Sequence, residues 1–286
     1  QQINLTEIYS CCNLLPTGQS LLQARPFRAP HHTIPVSSLI GGGASPRPGE
    51  VTLAHHGILY LDELPEFSRA ALESLRQPLE DHSIALNRLQ TSVNYPADFL
   101  LVASMNPCPC GHYPDTQHCR CTPTRIQQYF GKINSPLLDR IDLVLQLPPV
   151  PIGDIKQSSA YSFHEVSARV QAAHDLQAKR FHKAAHYNSR MSIEEIQELC
   201  ALRPELENFM HKAYEHYHLT LRSYHKILRV SRTLADLDGC TEIGLGDHVR
   251  YIGHSAFSQW NDLLRFDRLE SFTDPDATSR YRICDN

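Results

Sequence analysis

Hydrophobic residues in this chain follow two different periods, and the change from one to the other comes once, near residue 160. Up to about residue 150, short apolar runs of strand length alternate with segments of helical spacing. Gly57-Ile-Leu-Tyr-Leu61 is one such run, and Asp98-Phe-Leu-Leu-Val-Ala103 and Asp142-Leu-Val-Leu-Gln-Leu147 are two more. Between the first two, Ser68 to Leu79 places Leu72, Leu75 and Leu79 at helical spacing behind Ser68 as N-cap, and Ser83 to Tyr95 alternates as a β-hairpin. Apolar runs separated by helices predict a parallel α/β sheet buried on both faces. Pro148, Pro149 and Pro151 cannot continue a sheet and read as a linker.

From about residue 161 the spacing is helical. Val166–Arg180, Ser192–Cys200, Pro204–Tyr217, Ser223–Leu237 and Asp247–Phe257 each carry an apolar stripe, and Ser192 with Glu195 forms a capping box. The expected organisation is therefore an α/β core over 1–150, a linker over 151–160, a small all-α domain over 161–260 and an aperiodic tail over 261–286. No internal repeat is found.

The 286 residues are 41% hydrophobic and 20% charged, which excludes a disordered polymer and a collagen-like repeat, and no window holds ~18 uninterrupted apolar residues. A soluble cytoplasmic protein with no membrane partner is expected. The net charge of −4 supplies no bulk positive field, so any nucleic-acid contact must come from local cations.

Three motifs carry chemistry. The strand 57–61 ends in Asp62 and Glu63, where one carboxylate can hold Mg²⁺ through its water shell and the other can polarise a water for attack on a γ-phosphate. Two acids meeting a helix dipole is the simpler alternative. The strand 98–103 runs into Asn106, an amide that can orient the same water or serve as an ordinary turn residue before Pro107. Arg140 precedes the third strand, where a guanidinium can reach a neighbouring subunit's phosphates or pair with Asp139 on the surface.

The nine cysteines are unevenly spread, and four cluster as Cys108-Pro-Cys110 and Cys119-Arg-Cys121. Two Cys-x-Cys pairs joined by a loop can close a tetrahedral structural Zn²⁺ site, with His112 and His118 as reserve ligands. His31 and His32, with His55 and His56 nearby, could hold a metal, but adjacent histidines point in different directions, so buried, hydrogen-bonded imidazoles are expected; Phe27, Tyr60 and Phe67 are expected core residues.

These elements in this order, with Arg25-Pro-Phe-Arg-Ala-Pro-His-His-Thr33, Leu75-Arg-Gln-Pro-Leu-Glu80, Asn106-Pro-Cys-Pro-Cys-Gly111 and Pro136-Leu-Leu-Asp-Arg-Ile-Asp142, resemble the magnesium-chelatase-like AAA+ family over about residues 3–260. The resemblance implies an ATP- and Mg²⁺-dependent homo-hexamer that moves on single-stranded or branched DNA. Its implied role is branch migration in homologous recombination during natural transformation. A chelatase-type motor subunit that inserts Mg²⁺ into a porphyrin, and a non-catalytic assembly module, are the alternatives.

By the same resemblance, Asp62 and Glu63 form the Walker B pair, Asn106 is sensor 1 and Arg140 the arginine finger. Sensor 2 falls on Arg222, with Arg229 and Arg232 as alternatives. The hairpin 83–95, with Arg88 at its tip, matches a pore-facing insert, and the segment 41–49, with Arg47, a second insert; both are DNA-contact candidates. No Gly-x-x-x-x-Gly-Lys-Ser/Thr loop occurs: Gly131-Lys132 is followed by Ile133 and has Ile126 where the first Gly should be. The chain is therefore expected to begin just after that loop, and alone to be inactive.

Overall fold

The computed structural model describes residues 1–244 except 19, 44–45, 88–91, 114, 116, 134, 146, 148–161, 183–185 and 217–218. The chain divides into two compact units, Gln1–Ile141 and Asp142–Asn286. The linker 151–160, the expected helix 247–257 and the tail 261–286 lie outside the described residues.

In the first unit, α1 (Gln2–Cys11) leads into β1 (Phe27–Arg28), α2 (Val36–Leu39), β2 (Gly41–Gly42), β3 (Arg47–Pro48) and α3 (Glu50–Leu53). Then come β4 (Ile58–Leu61), α4 (Arg69–Ser74), α5 (Arg76–Asp81), the hairpin strands β5 (Ser83–Asn87) and β6 (Ser92–Pro96), and β7 (Leu100–Ala103). A long loop leads to α6 (Pro123–Gly131) and α7 (Ser135–Leu138). Strands β1, β4 and β7 form a parallel sheet in that order, with Arg28 opposite Leu59 and Leu61 opposite Ala103.

Leu59 and Leu61 point into a core with Leu39, Val51, Leu72, Leu75 and Phe67. Burying a side chain of this kind contributes about 2 kcal/mol. Gly57 is required at the entry to β4, because a Cβ there would lie 2.0 Å from the Pro26 carbonyl oxygen. Arg28 grips Glu50 with two hydrogen bonds of 2.6 and 2.7 Å, fixing β1 to α3.

Several expectations are corrected. The helix expected over 68–79 is two short helices that break at Leu75, because Pro78 has no N–H for the Ser74 carbonyl and its ring crowds that oxygen. The Ser68 cap is present, accepting from the Ala71 N–H at 3.2 Å. The strand expected over 142–147 forms no ladder among the described residues, and Leu143, Leu145 and Leu147 stay exposed. A strand without a neighbour has no partner for its backbone groups. β7 is not buried on both faces: Leu100 is 61% exposed. Phe27, expected in the core, is 62% exposed and stacks on Tyr60 at 6.0 Å between ring centroids.

The second unit is helical where described. It contains α8 (Phe163–Phe181), α9 (Ile193–Leu199), α10 (Pro204–His216) and α11 (Leu221–Leu237). Capping boxes at Ser162/Glu165 and Ser192/Glu195 start α8 and α9. Met191, Ile196, Cys200, Leu206, Leu228 and Ile243 form its core. At the centre Asp236, fully buried, accepts from Arg180, Arg232 and Asn188. Among the described residues no helix is long and apolar enough to cross a membrane.

Candidate active site and metal centre

Parallel register sets where the polar residues emerge. Because Leu61 lies opposite Ala103, the next residues, Asp62 and Ser104, leave the sheet side by side at its C-terminal end, where ligands of open parallel sheets bind. Asp62 Oδ1 accepts the Ser104 hydroxyl and, at 3.0 Å, the Glu63 N–H. The Ser104 hydroxyl foremost, with the Glu63 N–H and the Tyr60 hydroxyl, holds the exposed Asp62 carboxyl below its ordinary 3.8 against the opposing effect of desolvation. An ionised carboxylate at a strand end suits a hydrated Mg²⁺.

Glu63 has left-handed backbone, φ 54°, and its carboxylate lies 3.3 Å from His32 Nδ1. His32 follows β1 and so reaches the same end of the sheet. Its ring lies 4.1 Å from that of His31 and edge-on to Phe67 at 6.4 Å. Asn106 is exposed two residues beyond Ser104, and its backbone N–H bonds the hydroxyl of Tyr129 on α6, whose pKa is raised chiefly by burial.

Arg140 follows α7. Its guanidinium binds Glu80 and, at 2.5 Å, the Pro136 carbonyl, and its side chain is 10% exposed. It is thus held within its own unit and paired with Glu80. The sensor 2 alternatives separate by burial. Arg232 is 3% exposed and committed to Asp236, Cys240 and Thr241. Arg229 donates to the Met191 carbonyl at 2.6 Å, whereas Arg222 lies exposed in the first turn of α11.

The four clustered cysteines converge. Cys108, Cys110, Cys119 and Cys121 present sulfurs all within 4.8 Å of one another. Cys108 to Cys110, Cys110 to Cys119 and Cys108 to Cys119 measure 3.3, 3.6 and 3.8 Å. A tetrahedron of sulfurs about 2.3 Å from its centre has edges of about 3.8 Å, so the set fits a four-coordinate metal. Cys110 is pulled down to about 6 by the His112 N–H and the Cys108 sulfur, toward the thiolate that ligates metal. Cys119, although the Cys121 N–H pulls it down, is pushed up to about 12 by burial and the Cys110 and Cys108 sulfurs. His118 instead binds Asp115, at 2.6 Å.

Of the DNA-contact candidates, Arg47 is exposed on β3, while Arg88 lies outside the described residues. The expected hairpin is present, with Ser83 opposite Pro96 and Asn87 opposite Ser92. Tyr95 donates to the Pro46 carbonyl at 2.9 Å, tying β6 to the turn before β3.

Only one of the four expected buried histidines, His55, is buried. It accepts the Asp98 N–H on Nδ1 at 3.0 Å, His56 and His32 are half-buried, and His31 is exposed. Ser104, Tyr60 and His32 are site neighbours that motif reading misses: Tyr60 is expected in the core and His32 as a buried imidazole.

The family described as magnesium chelatase, subunit ChlI, matches residues 1–155, and its C-terminal counterpart matches residues 160–250. The chain is 42% identical over 234 residues to the competence protein ComM of Haemophilus influenzae, which covers 81% of this chain and 45% of that protein. It is 43% identical over 229 residues to the uncharacterized protein YifB of Salmonella typhimurium, 79% of this chain and 44% of that one. A Mycobacterium tuberculosis protein is 36% identical over 253 residues, 86% of this chain and 49% of that one. The chain thus spans about half the length of the curated relatives it matches. A parallel sheet bearing paired acids, a helical second unit and two family matches covering most of the sequence establish that the chain belongs to the magnesium chelatase ChlI family of AAA+-like proteins.

Proposed function

We propose that this chain is the motor part of an ATP-driven, hexameric DNA translocase that promotes branch migration during natural transformation. The observation that carries the reading is the pairing of Asp62 and Glu63 at the C-terminal end of β4, with Ser104 and Asn106 leaving the adjacent strand. In this reading Asp62 holds the Mg²⁺ of bound ATP, Glu63 polarises the attacking water and Asn106 orients it. Arg222 is sensor 2 in this reading. Arg140 exchanges Glu80 for a phosphate in the neighbouring subunit. The name of the 42%-identical competence protein supports a role in competence.

The cysteine cluster takes a structural Zn²⁺, since four sulfurs leave no open position for chemistry. Arg47 and Arg88, repeated around a ring, supply the local cations that a net charge of −4 does not.

The family's chelatase description favours a second reading, a motor that inserts Mg²⁺ into a porphyrin. One experiment separates them. ATP hydrolysis by the full-length protein is measured with branched DNA, single-stranded DNA or a porphyrin added. Stimulation by DNA alone supports the translocase, and stimulation by porphyrin alone overturns it. An unresponsive, inactive protein favours an assembly module.

A further inference from the structure

Asp62 is not held by its own loop alone. Its Oδ1 takes the Ser104 hydroxyl, and Ser104 Oγ lies 3.0 Å from the Tyr60 hydroxyl. Chemistry sets the direction of this series. An ionised carboxylate can only accept, so Ser104 donates to Asp62 and its oxygen is left to accept from the Tyr60 O–H. Backbone bonds fix the geometry: the Ser104 N–H donates to the Leu61 carbonyl, and the Leu64 N–H to the Ser104 carbonyl, each at 3.0 Å. Two strand ends are thus laced together around one carboxylate. The Ser104 hydroxyl and the Glu63 N–H both end on Oδ1, and the Tyr60 hydroxyl also acts on the carboxylate, favouring its charged form.

We propose that Tyr60 and Ser104 are positioning residues for Asp62: the series Tyr60–Ser104–Asp62 occupies Oδ1, locks the carboxylate in one orientation and presents Oδ2 to a divalent cation. The inference rests on the reading of Asp62 as a cation ligand. Tyr60 serves the site through its oxygen while its ring packs on Phe27, so one side chain joins β1, β4 and β7. Groups that orient a metal ligand commonly change metal affinity by about 10–100-fold when removed.

The test uses the full-length protein with nucleotide present. Mn²⁺ binding is read by electron paramagnetic resonance, and the Mg²⁺ dependence of hydrolysis is measured in parallel. Ser104→Ala should raise the half-saturating Mn²⁺ concentration about tenfold, and Tyr60→Phe about threefold. Ser104→Thr, which keeps the hydroxyl, should restore affinity to within about threefold of the starting protein. The double variant should bind no more weakly than Ser104→Ala, because both changes interrupt one series. Turnover at saturating Mg²⁺ should fall far less than affinity, whereas a merely structural role would lower the melting temperature and leave the Mn²⁺ requirement unmoved.

Wild-type Mn²⁺ affinity in Ser104→Ala, or equal weakness in Ser104→Thr, overturns the proposal; if Ser104→Ala fails to fold, unchanged affinity in Tyr60→Phe does so. Asp62→Asn separates the two levels. If it leaves Mn²⁺ binding intact, the ligand reading falls and the relay with it. If it abolishes binding while Ser104→Ala does not weaken it, the relay alone is wrong.

Discussion

Glu63 occupies left-handed backbone at φ 54°, a conformation that costs a non-glycine residue on the order of 1 kcal/mol. The strain turns its carboxylate toward His32, 3.3 Å away. Glu63→Gln keeps the size of the side chain and removes the charge proposed to polarise water, so nucleotide binding should persist while hydrolysis falls by about 10²-fold or more. His32→Ala leaves the carboxylate but frees it, and should lower turnover by about tenfold with nucleotide affinity unchanged. Steady-state hydrolysis and nucleotide titration of the full-length protein check both; a lower affinity with unchanged turnover in His32→Ala would place the imidazole on binding instead. His55 acts on stability. Burial, with His56 adding to it, depresses the imidazole from 6.5 to about 4. The folded chain then binds fewer protons than the unfolded one, so this contribution is complete above pH 6.5 and is lost as pH falls toward 4. It amounts to at most about 3 kcal/mol. His55→Asn keeps an acceptor for the Asp98 N–H and cannot titrate, so its denaturation midpoint should change less between pH 7 and pH 4.5. An equal loss in both proteins would shift the acid sensitivity to other groups.

At the scale of elements, the loop 104–122 between β7 and α6 contains no helix or strand among its described residues, and Cys108 is its one buried apolar anchor there. A connection of that length needs a staple, and the four converging sulfurs are proposed to supply one by holding a metal. Metal-replete protein should contain one zinc per chain by elemental analysis. Chelation should open residues 104–122 to proteolysis well before the hairpin of β5 and β6 is cut, and zinc well below one per chain would remove the staple. This loop was legible in the sequence because Cys-x-Cys pairs carry their chemistry in residue type and short spacing. The same holds for β4, for the acids after it, for the hairpin and for the capping box at Ser192. What was not legible depends on pairing between distant segments. β1 is two residues with an exposed Phe27 and shows no apolar run, and it exists because Phe27 and Arg28 pair with Ile58 and Leu59. Ser104 and Tyr60 meet because of the register between β4 and β7, which no local motif encodes. The run 142–147 misled for the reverse reason: its alternation is that of a strand, but alternation supplies no partner.

At the scale of the whole molecule, the proposed chemistry needs more than one copy of the chain. Asp62 and Glu63 are proposed to serve a nucleotide bound to their own subunit, and Arg140 the neighbour's, exchanging Glu80 for a phosphate across the interface. Its 10% exposure and its bonds to Glu80 and the Pro136 carbonyl describe the arginine before that exchange. Two lesions that each abolish hydrolysis should then complement one another. In a hexamer of Arg140→Ala subunits every Glu63 is intact but every finger is missing, and in Glu63→Gln hexamers the converse holds. Mixing the two in the full-length protein creates interfaces where an intact Glu63 faces an intact neighbouring Arg140. Hydrolysis should recover to a fraction set by the mixing ratio and be greatest near equal proportions, since only one of the two kinds of mixed interface is complete. The measurement is ATPase activity against mixing ratio, with subunit exchange established by labelled chains. Exchange without recovery would show that Arg140 works within its own subunit, as the permanent partner of Glu80 that fastens the turn after α7 to the end of α5, and the finger would then have to be another arginine.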